Sequence, residues 1–416
     1  MLLSQEYVAQ WSGTSKMAFR FLFCYFAAYI LLLFCGALFE SPVIWIGQNV
    51  LGIDYSFEAN GYGSGDNTFA YVLLFINLSI AILATFFWFI LNQKAKAYNK
   101  ILYWFLIVLR VSLICTMFLY GFVKVFQIQF PSPSLIRLME PLGNFSPMGL
   151  AWTYMGYSKG FGMFAGFMEI LGGLLLIPKR TQTLGALVII GVMLQVAVMN
   201  FMFDIPVKLL SVHLILMAGV IFITDSKRFL QVFIKNEATA AYSYYTPVTD
   251  TSYSNTIFWV KTIGLILLIG MGILFGSMTE KSRSDVSDRP FLYGIWEAKL
   301  VVQNKDTLPP LITDSKRWRY LIIDQKNSAI VKHMDNSKSY FKFKTDTVSQ
   351  SISMYSLKKD TVSNNLNYSY PSYSVLEIEG VLENDSVAIF LQRKNLDNFL
   401  LKSRGFHWIN ERPLNK

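Results

Sequence analysis

The chain has 416 residues, is 53% hydrophobic and 16% aromatic, and carries only 15% charged residues, a balance too apolar for a soluble protein of this length. Its formal net charge of +10 is spread, with 21 basic and 16 acidic side chains over residues 280–416 and 16 and 11 before them, so no clustered basic face marks a nucleic-acid partner. The three cysteines, Cys24, Cys35 and Cys115, all fall in apolar runs without a Cys-x-x-Cys spacing, which speaks against dithiol redox chemistry.

Seven stretches are long and apolar enough to cross a hydrocarbon layer, which takes about 20 residues. They run approximately over 17–39, 69–91, 101–126, 160–177, 183–200, 207–224 and 257–276. The opening "MLLSQEYVAQWSGTSK" has no basic start leading into a short apolar core and a small-residue cut site, so the first span is expected to serve as both address and anchor. Lys and Arg in the connections give an orientation. Lys16, Lys94, Lys96, Lys100, Lys179, Arg180, Lys227, Arg228 and Lys235 lie in alternate connections. The opposite ones, 40–68, 127–159 and 203–206, hold only Arg137 and Lys159. The expectation is a multi-pass protein of the cytoplasmic (inner) membrane with a cytoplasmic amino terminus and everything after Gly276 on the extracytoplasmic side.

The third span, "ILYWFLIVLRVSLICTMFLYGFVKVF", places Arg110, Met117 and Lys124 at intervals of seven, on one helix face with Ile114 and Gly121. A guanidinium near mid-layer needs a partner. Glu169, in "GMFAGFMEILGGLLLI", is the expected one, at a similar count from its own helix end. Even so, a buried pair is weak evidence of stability and can serve simply to fix packing. Nearer the outer face Lys124 can snorkel to the headgroups. Asp204 and Lys208 flank Pro206 there, and His213 stands seven residues into the sixth span. Arg110, Lys124, Glu169, Asp204, Lys208 and His213 are thus the candidate lining of a polar, ligand-binding interior. Only His213 among the three histidines lies in a span, so the chain holds no bis-His haem motif, and no metal-ligand cluster, phosphate loop or nucleophile elbow is legible.

The segment 236–256 is a Tyr-rich polar connection, expected as a loop, and 277–289 is a charged linker. Then the pattern changes to short alternating runs at about ten-residue spacing: "YGIWEAKLVV", "RYLIID", "SAIVKHM", "SYFKFKT", "SISMYSL", "NYSYPSYSVLEIEGVL", "SVAIFLQRK" and "FHWI". Such runs predict an antiparallel β sandwich or barrel over 290–416. Gly294-Ile295-Trp296 resembles the Gly-x-Trp opening of lipocalin-type barrels; the plainer reading is that Trp296 plugs one end of the domain.

Three segments together, "YGFVKVFQIQFPSPS", "EPLGNFSPMGLAWTYMGYSKGFGMFAGFMEILGGLLLIPKRTQTLGALV" and "NFMFDIPVKLLSVHLILMAGVIFI", resemble the DoxX-like family of four-helix membrane proteins. The similarity covers roughly 101–228. It implies a four-helix core with inward polar residues, matched here by Lys124, Glu169, Gly172 and Gly173, although the two glycines are also what close helix packing demands. One branch, DoxD, is a subunit of a thiosulfate:quinone oxidoreductase. Other members are linked to membrane redox complexes or assist assembly of other membrane proteins.

The organisation expected is therefore an α-helical polytopic membrane protein of about seven spans plus an exported β-domain. Its parts are a two-helix region (1–100), the DoxX-like core (101–228), a cytoplasmic loop (229–256), a seventh helix (257–276), a linker (277–289) and the β-domain (290–416). Two functions follow from different classes. One is an accessory or subunit of a redox, quinone-linked complex, with a quinone as the cofactor the resemblance suggests. The other is a non-catalytic scaffold or assembly factor whose β-domain binds a lipid or a membrane or periplasmic partner protein.

Overall fold

The structure is a computed structural model that describes residues 11–59, 65–239, 251–281, 289–356, 363–382 and 384–415. In chain order the helices are α1 (Gly13–Cys35), α2 (Glu40–Asn49), α3 (Thr68–Leu91), α4 (Asn99–Val125), α5 (Leu135–Leu138), α6 (Pro147–Tyr157), α7 (Lys159–Leu176), α8 (Gln182–Met202), α9 (Lys208–Ile223), α10 (Ser226–Phe233) and α11 (Thr251–Lys281). The strands follow as β1 (Gly294–Gln303), β2 (Asp306–Thr307), β3 (Trp318–Ile323), β4 (Ser328–His333), β5 (Lys338–Asp346), β6 (Ser351–Ser356), β7 (Ser363–Ser372), β8 (Val375–Leu382) and β9 (Asp385–Arg393), with a last turn, α12 (Leu400–Ser403). They form two compact units, 1–126 with 160–276, and 127–159 with 277–416.

In the helical unit, apolar residues run around most of each helix, as a lipid-facing bundle requires. Among the described residues α1, α3, α4, α7, α8 and α11 are each long and apolar enough to cross a membrane. The 16-residue α9 bends by 75° into α10, and the pair would make a seventh span. Close approach is set by glycine, as expected where bilayer-embedded helices pack by contact. A Cβ on Gly166 of α7 would stand 2.6 Å from the Gly121 carbonyl oxygen of α4, and one on Gly173 3.3 Å from the Met117 Cβ. Helices also occupy stretches read from sequence as loops: α2 within 40–68, α10 and the start of α11 within 225–256, and the end of α11 within the 277–289 linker. The remainder of those last two segments, 240–250 and 282–288, lies outside the described residues.

The second unit is built on an eight-stranded antiparallel up-and-down barrel. β1 and β3 to β9 pair in sequence order, β1 closes on β9 from Trp296 opposite Arg393 to Gln303 opposite Val387, and the two-residue β2 adds to β1. Closure removes the exposed sheet edges that a sandwich would have to manage. The run "NYSYPSYSVLEIEGVL" is two strands, β7 and β8, turning at Tyr373 and Ser374. "FHWI" is no strand: Phe406, Trp408 and Ile409 are exposed in irregular chain. Trp296 is fully buried in the barrel core, and its Nε1–H donates to the Leu292 carbonyl at 2.9 Å.

Residues 127–159, read from sequence as an outer connection within the DoxX-like core, belong to the unit of the barrel, where 135–140 form a strap across it. Leu135, Ile136, Leu138 and Met139 cover Ile295, Tyr320 and Ile322 on the outer face of β1 and β3. This explains why "WRYLII" does not alternate: the inner residues face the barrel core while the outer ones lie under the strap. The strap is pinned by polar contacts at both ends. The Leu135 N–H donates to Asp324 Oδ2 at 3.0 Å, Lys332 Nζ donates to the Met139 carbonyl at 3.1 Å, and Lys338 pairs with Glu140 at 2.7 Å. The bond from Lys338 holds the Glu140 carboxyl below its usual range.

Candidate functional site

The buried face of α4 carries Phe105, Leu109, Arg110, Leu113, Met117, Gly121 and Lys124, so the spacing of seven does place the two cations on one side. They do not share a partner. Lys124 Nζ lies 2.6 Å from Glu169 Oε1, with the two residues 5% and 2% exposed. The lysine therefore points into the bundle and does not snorkel. Glu169 Oε2 is buried with no hydrogen-bond partner among the described residues.

Arg110 is directed elsewhere. Its Nε–H donates to the Leu176 carbonyl at 2.9 Å, and one terminal nitrogen donates to the Leu176 carbonyl and, at 2.6 Å, to that of Ile177. These are carbonyls at the carboxyl end of α7, where the helix leaves acceptors unpaired and carries its negative dipole end. The expected pairing of Arg110 with Glu169 fails because of register. Gly121 against Gly166 and Met117 against Gly173 fix α4 and α7 antiparallel, and from Glu169 to Leu176 is about 10 Å along the axis at 1.5 Å per residue. Counting from helix ends hid this, since α7 is 18 residues long and α4 is 27.

His213 sits in a tyrosine stack. Its ring is parallel to that of Tyr29, with centroids 4.0 Å apart, and to that of Tyr25 at 5.8 Å. Nδ1 is 2.6 Å from the Leu209 carbonyl, which only an N–H can satisfy, so in the neutral ring Nε2 accepts from the Tyr25 hydroxyl at 2.7 Å. Tyr120 joins the two groups. Lys124 Nζ stands 5.7 Å from the centre of its ring, and the phenol is within electrostatic range of Glu169 on one side and Tyr29 on the other. The result is a polar row through α4, α7, α1 and α9 inside an apolar bundle: Lys124, Glu169, Tyr120, Tyr29, His213 and Tyr25.

Asp204 and Lys208 do not line this interior. They pair with each other at 3.0 Å, four residues apart across the turn between α8 and α9, and the Asp204 side chain is 87% exposed. What occupies the amino end of α9 is Asp66, whose carboxylate accepts from the backbone N–H groups of Lys208 at 2.6 Å and Leu209 at 3.0 Å, as a helix amino terminus favours. Sequence reading assigned no site role to Tyr25, Tyr29, Tyr120 or Asp66, although Tyr120 opens the Tyr-Gly-x-x-Lys end of the third span. The tyrosines carried a usable signal, Tyr25 four residues from Tyr29 and Tyr120 four from Lys124, which puts each pair on one helix face. Asn77 of α3 is a further buried polar residue in an apolar span, within interaction range of the Tyr25 phenol.

No family model matches the chain, and no solved structure matches it. A curated protein of Bacillus subtilis (strain 168), described as "Uncharacterized protein YwoB", is 37% identical over 84 residues, which is 20% of this chain. The aligned part spans about half, 54%, of that relative's own length.

Proposed function

We propose that the protein is an accessory subunit of a redox, quinone-linked assembly of the cytoplasmic membrane, with the polar row of the helical unit as its ligand site. The observation that carries this is Glu169: its Oε2 is buried with no hydrogen-bond partner among the described residues, where such a group is costly. A hydroquinone hydroxyl could donate to it, while the Lys124 ammonium and the Tyr120 phenol offer donors to a quinone carbonyl. The DoxX-like features, Lys124, Glu169, Gly172 and Gly173, point the same way and supply the redox context.

The seven-span count supports one side for strap and barrel, and the Lys and Arg distribution alone supplies which side it is. Residues 127–159 and the barrel belong to one unit, so the chain between them must cross the layer an even number of times. Passage through α7, α8, α9 and α11 does so. With a cytoplasmic amino terminus, strap and barrel are then extracytoplasmic.

The reading is tested by solvent extraction of the protein purified from its native membrane. The expected result is quinone retained by the wild type and lost in Glu169→Gln. A wild type that carries no quinone, while the whole chain retrieves a membrane or periplasmic protein, would replace this reading with that of a scaffold or assembly factor.

A further inference from the structure

The extracytoplasmic unit exposes an apolar face that neither its barrel core nor the polar row explains. On α6, Leu150, Tyr154 and Tyr157 follow each other at four and three residues, the spacing of one helix face, and all three are exposed, Tyr154 by 62%. The opposite face of the same helix, with Gly149, Ala151, Met155 and Gly156, is buried. The exposed stripe borders an apolar trough of about 350 Å³, walled also by Pro133, Leu142 and Leu401. The last residues of the chain meet this region. The Tyr157 hydroxyl donates to the Arg404 carbonyl at 3.0 Å, and just beyond it Phe406, Trp408 (90% exposed) and Ile409 stand in solvent.

From this we infer that α6, the trough and residues 404–414 form a membrane-interface surface that seats on anionic lipid of the same membrane in which α7 is embedded. Three features select lipid as the occupant. First, α6 ends at Tyr157 and α7, apolar enough to span, begins two residues later at Lys159, so in the chain the stripe directly precedes a membrane-crossing helix. Second, the residues are the aromatic and aliphatic types that partition to the headgroup boundary. Third, Lys159, Lys402, Arg404 and Arg412 stand in sequence beside them, with Arg137 at the trough, against Glu411 in the tail and Glu140, which also lines the trough and is paired with Lys338, a net sign suited to anionic headgroups. The inference rests on α7 crossing the membrane and is independent of any quinone.

The test uses the full chain in nanodiscs of phosphatidylethanolamine and phosphatidylglycerol, with Cys24, Cys35 and Cys115 replaced by serine. A nitroxide is placed at Leu142→Cys or, separately, Ile409→Cys, with Val348→Cys on the barrel as the aqueous reference. Seating on lipid gives labels at 142 and 409 a several-fold higher ratio of oxygen to nickel-chelate collision than at 348. A ratio equal to that at 348 overturns the inference, because the face is then in water. So does an immobilised label reached by neither reagent, which would mean that a protein partner or a second copy covers it. Two independent label sites keep the outcome readable if one substitution disturbs folding.

Discussion

At the scale of single residues, the pair of Lys124 and Glu169 is the most informative feature. Two charges taken out of water gain little net stability from each other, but removing one leaves the other stranded at full desolvation cost. Lys124→Met alone should therefore destabilise the helical unit by about 3 kcal/mol or more, whereas Lys124→Met with Glu169→Gln should cost far less than the two single changes added. Unfolding of the nanodisc-embedded protein measures the cycle. Additive losses would show that the two side chains do not depend on each other. Arg110 belongs to a different category, since its Nε–H and one terminal nitrogen cap the carbonyls of Leu176 and Ile177 at the carboxyl end of α7.

The elements depend on contacts that a motif search reads only as small residues. Gly121 and Gly166 are each within 2.8 Å of the other helix's carbonyl oxygen through the Cβ they lack, and backbone cannot move aside as a side chain can. Gly166→Ala should cost about 1–3 kcal/mol as an overpacking change and spread α4 from α7 enough to weaken the ion pair. Gly191→Ala, at a position with nothing near its missing Cβ, should be nearly neutral. Thermal unfolding of the two variants side by side separates a packing role from a general effect of alanine. The strap shows the reverse dependence: α5 has four residues, too few to hold a helix unaided, and stands because its leucines cover β1 and β3.

For the whole molecule the decisive prediction is sidedness. Leu142 in the strap and Val348 on the barrel are both exposed, so cysteines placed there should react together with a membrane-impermeant maleimide. The orientation proposed from the Lys and Arg distribution predicts that both react in intact cells. Labelling of one position from outside and of the other only after the membrane is breached would overturn both the even number of crossings and the pairing of strap with barrel.

Membrane character, the approximate helix positions and an antiparallel β-domain after 290 could be read from the sequence alone, because burial in lipid and strand alternation are imposed residue by residue on composition. Closure, and which runs become strands, could not be read there, since one run folds as both β7 and β8 and "FHWI" as no strand. The face shared by Arg110, Met117, Gly121 and Lys124 was legible for the same reason, since helical period is local. Which cation meets Glu169 was not, because that depends on the axial register of two helices, set by glycine contacts 45 to 56 residues apart in the chain. Nor was the removal of Asp204 from the interior, the tyrosines around His213, or the docking of 127–159 on the barrel. Each of these follows from distances between separate elements, and only the tertiary structure fixes those.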